Sequence, residues 1–325
     1  MQVEGYRHVA HRGAPDAGCA QHLLPALRRG LDGGAPVLLA CSPGLRTALE
    51  AQLAPAAVHV VDPDLLAGRA PDALAGYTSV LDRFTAPGTR LQLITDSDCQ
   101  STAGVVAWLQ TEALLNHVLV DRPVDHFCVL DPARLGDDLT TAQSCHPWLL
   151  PADADADVVG NQGWREPAHV LRSLWTEPGP DPVEATPPTL EVADVGSMRE
   201  LRRALAGALA DGPLDPDEAE DLVLAIDEVV VNAGEHGMPP VDVRLWVTEH
   251  RVLCAVADRG PGFDEPLAGY GPAHGRDLSV GGMGLWLARR AVDRMTTAPL
   301  RDGDGCVVRL VIDPRHPEDD PGSGS

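Results

Sequence analysis

The chain has 325 residues, 44% of them hydrophobic, and a formal net charge of −23. This length is enough for two domains of ordinary size, and so acidic a surface disfavours direct binding to nucleic acid or to anionic membranes. All 25 positively charged residues are arginine. The absence of lysine excludes a Walker-type phosphate loop and a protein kinase of the eukaryotic type, because both require one.

The seven cysteines show neither a CxxC pair nor the spacing typical of zinc sites. Cys41, Cys128, Cys254 and Cys306 lie in apolar, strand-like runs, and we predict buried thiols there rather than metal ligands. The odd number of cysteines fits a reducing compartment. No signal peptide or apolar run of membrane-spanning length is found, so we expect a cytoplasmic protein with no membrane partner.

Residues 1–150 are predicted to form a domain in which strands alternate with helices. Apolar runs predict buried strands at 36–41, 58–61, 91–94 and 127–130. Amphipathic stretches predict helices at 20–31, 45–53, 73–83 and 105–120. This alternation indicates a parallel α/β sheet. Ligands bind such sheets at the carboxyl ends of the strands, where Asp131 follows the fourth predicted strand.

Three short features mark this half of the chain. They are Tyr6-Arg7-His8 near the start, Glu112 and Asn116 one turn apart on the long predicted helix, and Cys145-His146-Pro147 at the end. Together they resemble the MEDS sensory domain. The resemblance implies a RecA-like parallel α/β sheet and a sensory role towards an unidentified small molecule.

The residues expected to sense this signal are Glu112, Asn116 and Asp131. A helix face that hydrogen-bonds neighbouring backbone explains the Glu112–Asn116 pair equally well. His146 precedes a proline, and we interpret it as structural. Because no Walker loop is present, no ATP site is expected in this half.

Residues 151–188 are rich in proline and aspartate and poor in periodic hydrophobic residues, which predicts a semi-stiff linker. A short helix is predicted near His169. Histidine kinases carry their phospho-accepting histidine on a long dimerising helix, usually followed by an acidic residue. His169 is followed by Val170 and Leu171, and the prolines leave no room for such a helix. We therefore do not expect His169 to accept phosphate.

Residues 189–313 are predicted to form a second domain, and residues 314–325 a flexible tail. Ser197 with Glu200, and Asp215 with Glu218, have the spacing of capping boxes and predict the starts of two helices. Further elements are predicted as strands at 241–247, 252–257 and 306–312 and as a helix at 285–295. We expect a two-layer α/β sandwich with a mainly antiparallel sheet.

The helix that begins after Asp215 has an apolar face and a separate polar stripe. Glu228, Asn232 and His236 are four residues apart and share one face. A carboxylate one turn from a carboxamide can hold an attacking group beside a metal-bound phosphate, although a solvated helix face explains the stripe as well. The residues expected to face the core are Leu222, Ile226, Val229, Val230 and Ala233.

Two glycine-rich stretches follow. Asp258 ends a predicted strand before Gly260 and Gly262, so its carboxylate can accept from an amine such as that of adenine while the glycines admit a flat ring. Gly282 and Gly284 open the last helix, where backbone N–H groups can bind phosphate. Taken singly, the first stretch is explained by a plain turn and the second by a loop that needs positive φ.

The three polar stretches occur in this order, each on the element that it needs. This pattern resembles the GHKL ATPase fold of gyrase, ninety-kilodalton heat-shock chaperones, mismatch-repair ATPases and histidine kinases. The resemblance covers about residues 190–313 and implies that the chain binds ATP and Mg²⁺. It implies Glu228 as general base, Asn232 as Mg²⁺ ligand, Asp258 as acceptor of the adenine amine, Gly260 and Gly262 beside the ring, and Gly282 and Gly284 over the phosphates.

The stretch around Gly282 and Gly284, here called the lid, is short. In this respect the domain resembles the anti-sigma-factor serine kinases. This resemblance implies a transcription regulator that binds a sigma factor, phosphorylates a serine of an antagonist protein, or does both, under control of the first domain. Such kinases often carry a basic residue directly before the lid glycines. Here Ser279 and Val280 stand in that place, and the nearest arginine is Arg276. The alternatives are a non-catalytic nucleotide-dependent switch and a histidine-kinase relative with a separate acceptor, and a homodimer is left open.

Overall fold

The computed structural model describes residues 5–86, 88–97, 104–152, 157–174, 181–262, 266–270, 284–300 and 305–314. The chain divides into two units, Met1–Leu174 and Trp175–Ser325, here called the first and the second unit. Each unit has its own sheet and its own hydrophobic core. No helix among the described residues combines the length and the apolar character that crossing a membrane requires.

The first unit is built on a seven-stranded sheet. Its strands are β1 (Arg7–Arg12), β2 (Val37–Ala40), β3 (Val58–Val60), β4 (Leu91–Asp96), β5 (Val124–Leu130), β6 (Trp148–Leu150) and β7 (Val159–Gly160). They lie in the order β3-β2-β4-β5-β1-β6-β7. All neighbours are parallel except β6 and β7, so the predicted parallel α/β class is confirmed for this unit.

Helices cover both faces of this sheet. They are α1 (Ala17–Asp32), α2 (Pro43–Glu50), α3 (Ala70–Phe84), α4 (Gly104–Val118), α5 (Pro132–Leu135), α6 (Leu139–Ser144) and α7 (Pro167–Leu174). Side chains alternate along each strand. On β1, Val9 therefore packs with α1 and α2 on one face, whereas Ala10 packs with Leu109 of α4 on the other.

The strand β1 lies between β5 and β6 in the sheet, yet the hydrophobic pattern did not predict it. Its sequence, Arg-His-Val-Ala-His-Arg, contains only two apolar residues. His8 and His11 are buried all the same, and one nitrogen of each ring has a hydrogen-bond partner in the core. A strand with buried histidines does not show the apolar run on which strand prediction depends.

The described parts of the predicted linker at 151–188 belong to the two units. In the first unit, β7 pairs with β6 and α7 packs Val170 and Leu171 into the core. In the second unit, Asp181 forms an ion pair with Arg251, and Glu184 forms one with Arg309. Short segments between the prolines are therefore folded, although the overall composition of residues 151–188 is that of a linker.

The second unit has a five-stranded antiparallel sheet in the order β11-β12-β10-β9-β8. Its strands are β8 (Leu190–Val192), β9 (Asp242–Thr248), β10 (Arg251–Asp258), β11 (Arg294–Pro299) and β12 (Cys306–Ile312), and its helices are α8 (Met198–Leu209), α9 (Pro216–His236) and α10 (Gly284–Ala291). The three helices pack on one face of the sheet, where they share a core with Val252, Cys254 and Val256 of β10. The predicted α/β sandwich is confirmed.

The helix α9 forms as the sequence predicts. Asp215 Oδ1 accepts from Glu218 N at 2.8 Å, and the Glu218 carboxylate accepts from Asp215 N at 3.3 Å, which completes the capping box. All five predicted core residues of α9 are buried. The helix predicted at 285–295 instead ends at Ala291, since the β-branched Thr296 and Thr297 lie in β11, which pairs with β12.

Leu222→Ala is expected to lower the free energy of unfolding of the second unit by about 2–5 kcal/mol, because it leaves a cavity under α9. Leu222 is fully buried, whereas Leu224, two residues away on the same helix, is 59% exposed. Leu224→Ala is the matched control and should change stability by no more than about 0.5 kcal/mol. Hydrogen–deuterium exchange of α9 peptides measures both. Equal effects would contradict the assignment of the buried face.

Candidate functional site

The polar stripe of α9 lies beside the start of α10. Glu228 and Asn232 are half-buried, whereas His236 is exposed. The two helices pack against each other. They meet at Gly284, the first residue of α10, where a Cβ atom would overlap the Glu228 carboxylate oxygen Oε2. Glycine at this position therefore lets the backbone that begins α10 approach the carboxylate.

Asp258, the last residue of β10, is held between two backbone turns. It is buried, and its Oδ1 atom accepts from Gly260 N at 2.6 Å and from Met238 N at 3.4 Å. A Cβ atom at Gly237 would lie 2.5 Å from Oδ1, and one at Gly260 would lie 2.7 Å from it. The carboxylate thus fits only because both neighbours lack a side chain. A carboxylate offers about four acceptor positions, so the group can still accept from a ligand.

Further contacts join the loop after Asp258 to the end of α9. Arg259 N donates to Met238 O at 2.8 Å, so the chain after α9 and the chain after β10 run side by side. Gly262 adopts φ +85° next to Cys306 of β12, a conformation that favours glycine. The predicted glycine-rich stretch after Asp258 is therefore a turn that contacts two parts of the second unit, the segment after α9 and the strand β12.

A buried arginine on α10 anchors the segment 266–270. Arg289 Nε donates to Ala268 O at 3.0 Å, Nη1 donates to Tyr270 Oη at 3.1 Å, and the guanidinium lies 4.2 Å from the centre of the Tyr270 ring. Burial lowers the pKa of Arg289 and raises that of Tyr270. The segment that leads towards the predicted lid is therefore fixed to the same helix that begins beside Glu228.

The structure brings most of the predicted residues of the second unit into two adjoining groups. Glu228 and Gly284 lie where α9 meets α10, Asn232 follows one turn later on α9, and Asp258 lies with Gly260 where α9 and β10 end. The predicted lid glycine Gly282, with Arg276, Ser279 and Val280, lies outside the described residues. Sequence analysis missed Gly237 and Arg289. Gly237 directly follows the polar stripe of α9, and this position could have identified it from the sequence.

The three candidate sensing residues of the first unit occupy different surroundings. Glu112 is buried against His8 and His146. Asn116 Nδ2 donates to Cys145 O at 2.7 Å, and Asp131 caps α5 by accepting from Ala133 N at 2.9 Å. Within the part of the chain that the structure describes, no hydrogen bond joins Asp131 to the other two. Asp131 and Asn116 therefore have local structural roles.

Gly237→Ala is expected to destabilise the second unit by about 1–3 kcal/mol, because the added methyl group has no space. It would lie 2.5 Å from both Ala233 O and Asp258 Oδ1. Gly234 on α9 has nothing within 4 Å of a Cβ atom, so Gly234→Ala should stabilise the helix by roughly 0.5–1 kcal/mol. Hydrogen–deuterium exchange around residue 258 measures both effects. Similar effects of the two variants would show that the cradle around Asp258 is loose.

A comparison with protein-family models agrees with this architecture. Residues 192–312 match the family model described as a histidine kinase-like ATPase domain. A search among curated proteins found no match. Among solved structures, the NMR structure of the histidine kinase domain of the E. coli osmosensor EnvZ shares 16% identity with this chain, and the match covers 40% of this chain and 92% of that chain with a TM-score of 0.24. Residues 192–312 therefore form a histidine kinase-like ATPase domain, with the two-layer fold of the GHKL ATPases.

Proposed function

We propose that the second unit binds ATP with Mg²⁺ and that the chain is a regulator of the anti-sigma-factor type. In this proposal the ATPase domain binds a sigma factor, phosphorylates a serine of an antagonist protein, or does both. The observation that carries the proposal is the presence of two carboxylates in one ATPase domain. Asp258 is a buried acceptor held by a backbone N–H group, and Glu228 lies beside the start of α10.

The Asp258 cradle fits the adenine end of a nucleotide. Backbone N–H groups of Gly260 and Met238 orient the carboxylate through Oδ1. A buried carboxylate offers only acceptors, so it pairs with the exocyclic amine of adenine and opposes the carbonyl oxygen that guanine carries at that position. Gly260 and Gly262 would lie beside the ring.

The junction of α9 and α10 fits the phosphate end. When bound, ATP supplies the phosphoryl group and Mg²⁺ supplies positive charge beside the phosphates. The Asn232 side-chain oxygen would be a ligand of Mg²⁺. Glu228 would accept the proton of an incoming serine hydroxyl, which is the role of a general base. Gly284 and the predicted lid glycine Gly282 would present backbone N–H groups to phosphate.

A separate acceptor protein is favoured over autophosphorylation. His169 is exposed on α7, an eight-residue helix whose buried side packs in the first unit. A helix of this length spans about 12 Å, too short for a dimerising hairpin. The net charge of −23 favours a basic surface on the partner.

We further propose that the first unit is a MEDS-like sensory domain that sets the output of the second. The motif resemblance and the parallel α/β sheet support this role, since such sheets commonly bind small molecules. The sensing residues proposed from the sequence were Glu112, Asn116 and Asp131. The local bonds of Asn116 and Asp131 leave Glu112 as the member most directly tied to a function.

A non-catalytic switch is the second candidate. Ser279 and Val280 stand where kinases of this type often carry a basic residue, and without such a charge phosphoryl transfer loses stabilisation of its transition state. Binding of nucleotide and partner does not need that residue. Incubation with labelled ATP and serine-bearing antagonist proteins separates the two functions.

Asp258→Asn is expected to weaken ATP binding by about 1–3 kcal/mol, or roughly 5- to 150-fold in Kd, because the amide group turns a donor towards the adenine amine. The asparagine oxygen can still accept from Gly260 N, so the fold should survive. Asp242→Asn is the control, since Asp242 Oδ1 accepts a hydrogen bond from Asp194 N, in the segment that follows β8. Isothermal titration calorimetry measures both. Unchanged affinity in Asp258→Asn would refute the adenine contact.

Glu228→Ala is expected to keep ATP affinity within a few-fold while reducing phosphoryl transfer to serine by about 10²–10⁴-fold, the share of a general base. Glu220→Ala removes an exposed carboxylate eight residues earlier on α9 and should leave transfer unchanged. Transfer of labelled phosphate is the readout. If Glu228→Ala transfers at the native rate, Glu228 belongs to a solvated helix face. If the native chain transfers none, the non-catalytic switch is the better account.

A further inference from the structure

A cluster of buried polar side chains lies in the core of the first unit, apart from the ATPase domain. His8 on β1, Glu112 on α4, Cys128 on β5 and His146 after α6 are each at most 1% exposed. One nitrogen, oxygen or sulfur atom from each lies within 4.8 Å of all the others. The cluster therefore joins four elements of the unit through groups that bind metal ions.

Three distances within the cluster are close to those between the ligands of one tetrahedral ion. Glu112 Oε2 lies 3.2 Å from His8 Nε2 and 3.1 Å from His146 Nε2. Cys128 Sγ lies 3.2 Å from His8 Nε2. Ligand atoms bonded at 2.0–2.3 Å to one tetrahedral ion are separated by about 3.3–3.6 Å, so only small shifts would be needed to accommodate an ion.

The tautomer of His146 leaves an acceptor that faces another acceptor. His146 Nδ1 lies 2.8 Å from Ala142 O, and this contact requires the ring proton on Nδ1. In the neutral ring, Nε2 then points a lone pair at the Glu112 oxygen, and both atoms are buried without a hydrogen-bond partner. Their contact becomes favourable when a cation or an added proton lies between them. Metal-bound histidines commonly have this second bond to a backbone carbonyl.

Glu112 adds a buried negative charge to the cluster. Its side chain is 1% exposed, and its Oε2 atom faces one nitrogen of His8 and one of His146. Burial and the nearby His146 lower the pKa of His8 to about 4, against the raising effect of Glu112. Imidazoles bind metals in their neutral form, and a cation held between the rings and the carboxylate would balance the charge of the carboxylate.

Hydrogen bonds lead from the surrounding side chains to the sulfur atom. Thr95 Oγ1 donates to Cys128 Sγ at 3.3 Å, and Thr95 Oγ1 lies 2.8 Å from His126 Nε2. His126 Nδ1 in turn lies 2.6 Å from Tyr6 Oη. One assignment satisfies the chain: Tyr6 donates to His126, His126 to Thr95, and Thr95 to the sulfur. Donors directed at sulfur favour a metal-bound thiolate.

We propose that His8, Glu112, Cys128 and His146 bind a divalent metal ion of the zinc class. Mixed imidazole, thiolate and carboxylate ligands suit Zn²⁺ better than Mg²⁺ or Ca²⁺, which prefer oxygen alone. Four protein ligands fill a tetrahedral site and leave no position for substrate. The ion would thus stabilise the sensory unit or report on it, not catalyse a reaction. The metal would displace the Cys128 thiol proton, which passes to solvent.

Titration of the chelator-treated full chain with Co²⁺, followed by competition with Zn²⁺, tests the proposal. The expected result is a single bound ion per chain, with the intense visible bands of tetrahedral Co²⁺ and a near-ultraviolet thiolate-to-cobalt band. Cys128→Ser should remove the thiolate band and raise the Zn²⁺ Kd by more than about 100-fold, beyond the loss typical of outer-shell changes. Thr95→Val should raise that Kd by about 10–100-fold while the thiolate band remains.

Cys145→Ser is the matched control. Cys145 is buried next to His146, but its sulfur contacts the Thr141 carbonyl oxygen at 3.4 Å and is not among the four ligand atoms. This variant should keep the thiolate band. Failure of the native chain to bind Zn²⁺ or Co²⁺ would overturn the proposal. A thiolate band that persists in Cys128→Ser would also overturn the proposal, and this test depends on no other variant.

Discussion

The site of the second unit depends on a carboxylate for which only glycine neighbours leave room. Asp258 Oδ1 accepts a hydrogen bond from the N–H of Gly260, and the backbone of Gly237 lies close to it. The end of β10 and the end of α9 must therefore lie together. The capping box at Asp215 fixes the start of α9, and its buried leucine and valine residues fix its rotation. With both ends and the rotation set, Glu228 faces the first residue of α10. A buried acceptor and a half-buried carboxylate are thus held on rigid elements, which is what binding and general-base chemistry require.

The two units bury polar groups for different reasons. In the second unit, the Asp258 carboxylate is paired with backbone N–H groups through Oδ1. In the first unit, Glu112 is surrounded by His8 and His146, and both Glu112 Oε2 and His146 Nε2 are left without a hydrogen-bond partner. Unpaired buried polar atoms cost about 1–3 kcal/mol each, so such a cluster persists only if something stabilises it. The proposed cation would provide that stabilisation and would make the stability of the first unit depend on metal.

Local patterns predicted much of this molecule. The α9 helix, with its cap and core face, and the strands β2 and β12 follow from spacing alone, because capping and periodicity act over a few residues. Glu228, Asn232 and Asp258 were proposed as site residues because their types and order are local features of the sequence. Gly237 was missed because its need for space arises from Asp258, twenty-one positions later. The Cys128 cluster was missed for the same reason: its ligands come from four elements, with no spacing that links His8 to His146. The strand β1 was missed because buried histidines replaced the expected apolar run.

The central claim is that the Asp258 carboxylate selects a nucleotide by accepting from the adenine amine. Calorimetric comparison of ATP with inosine triphosphate tests it most directly, because the two ligands differ mainly in an amine replaced by a carbonyl oxygen at the position that Asp258 would contact. With Mg²⁺ present, the account predicts that inosine triphosphate binds the native chain about 5- to 150-fold more weakly than ATP, the cost of an unpaired buried acceptor. Equal affinity for the two nucleotides would contradict it.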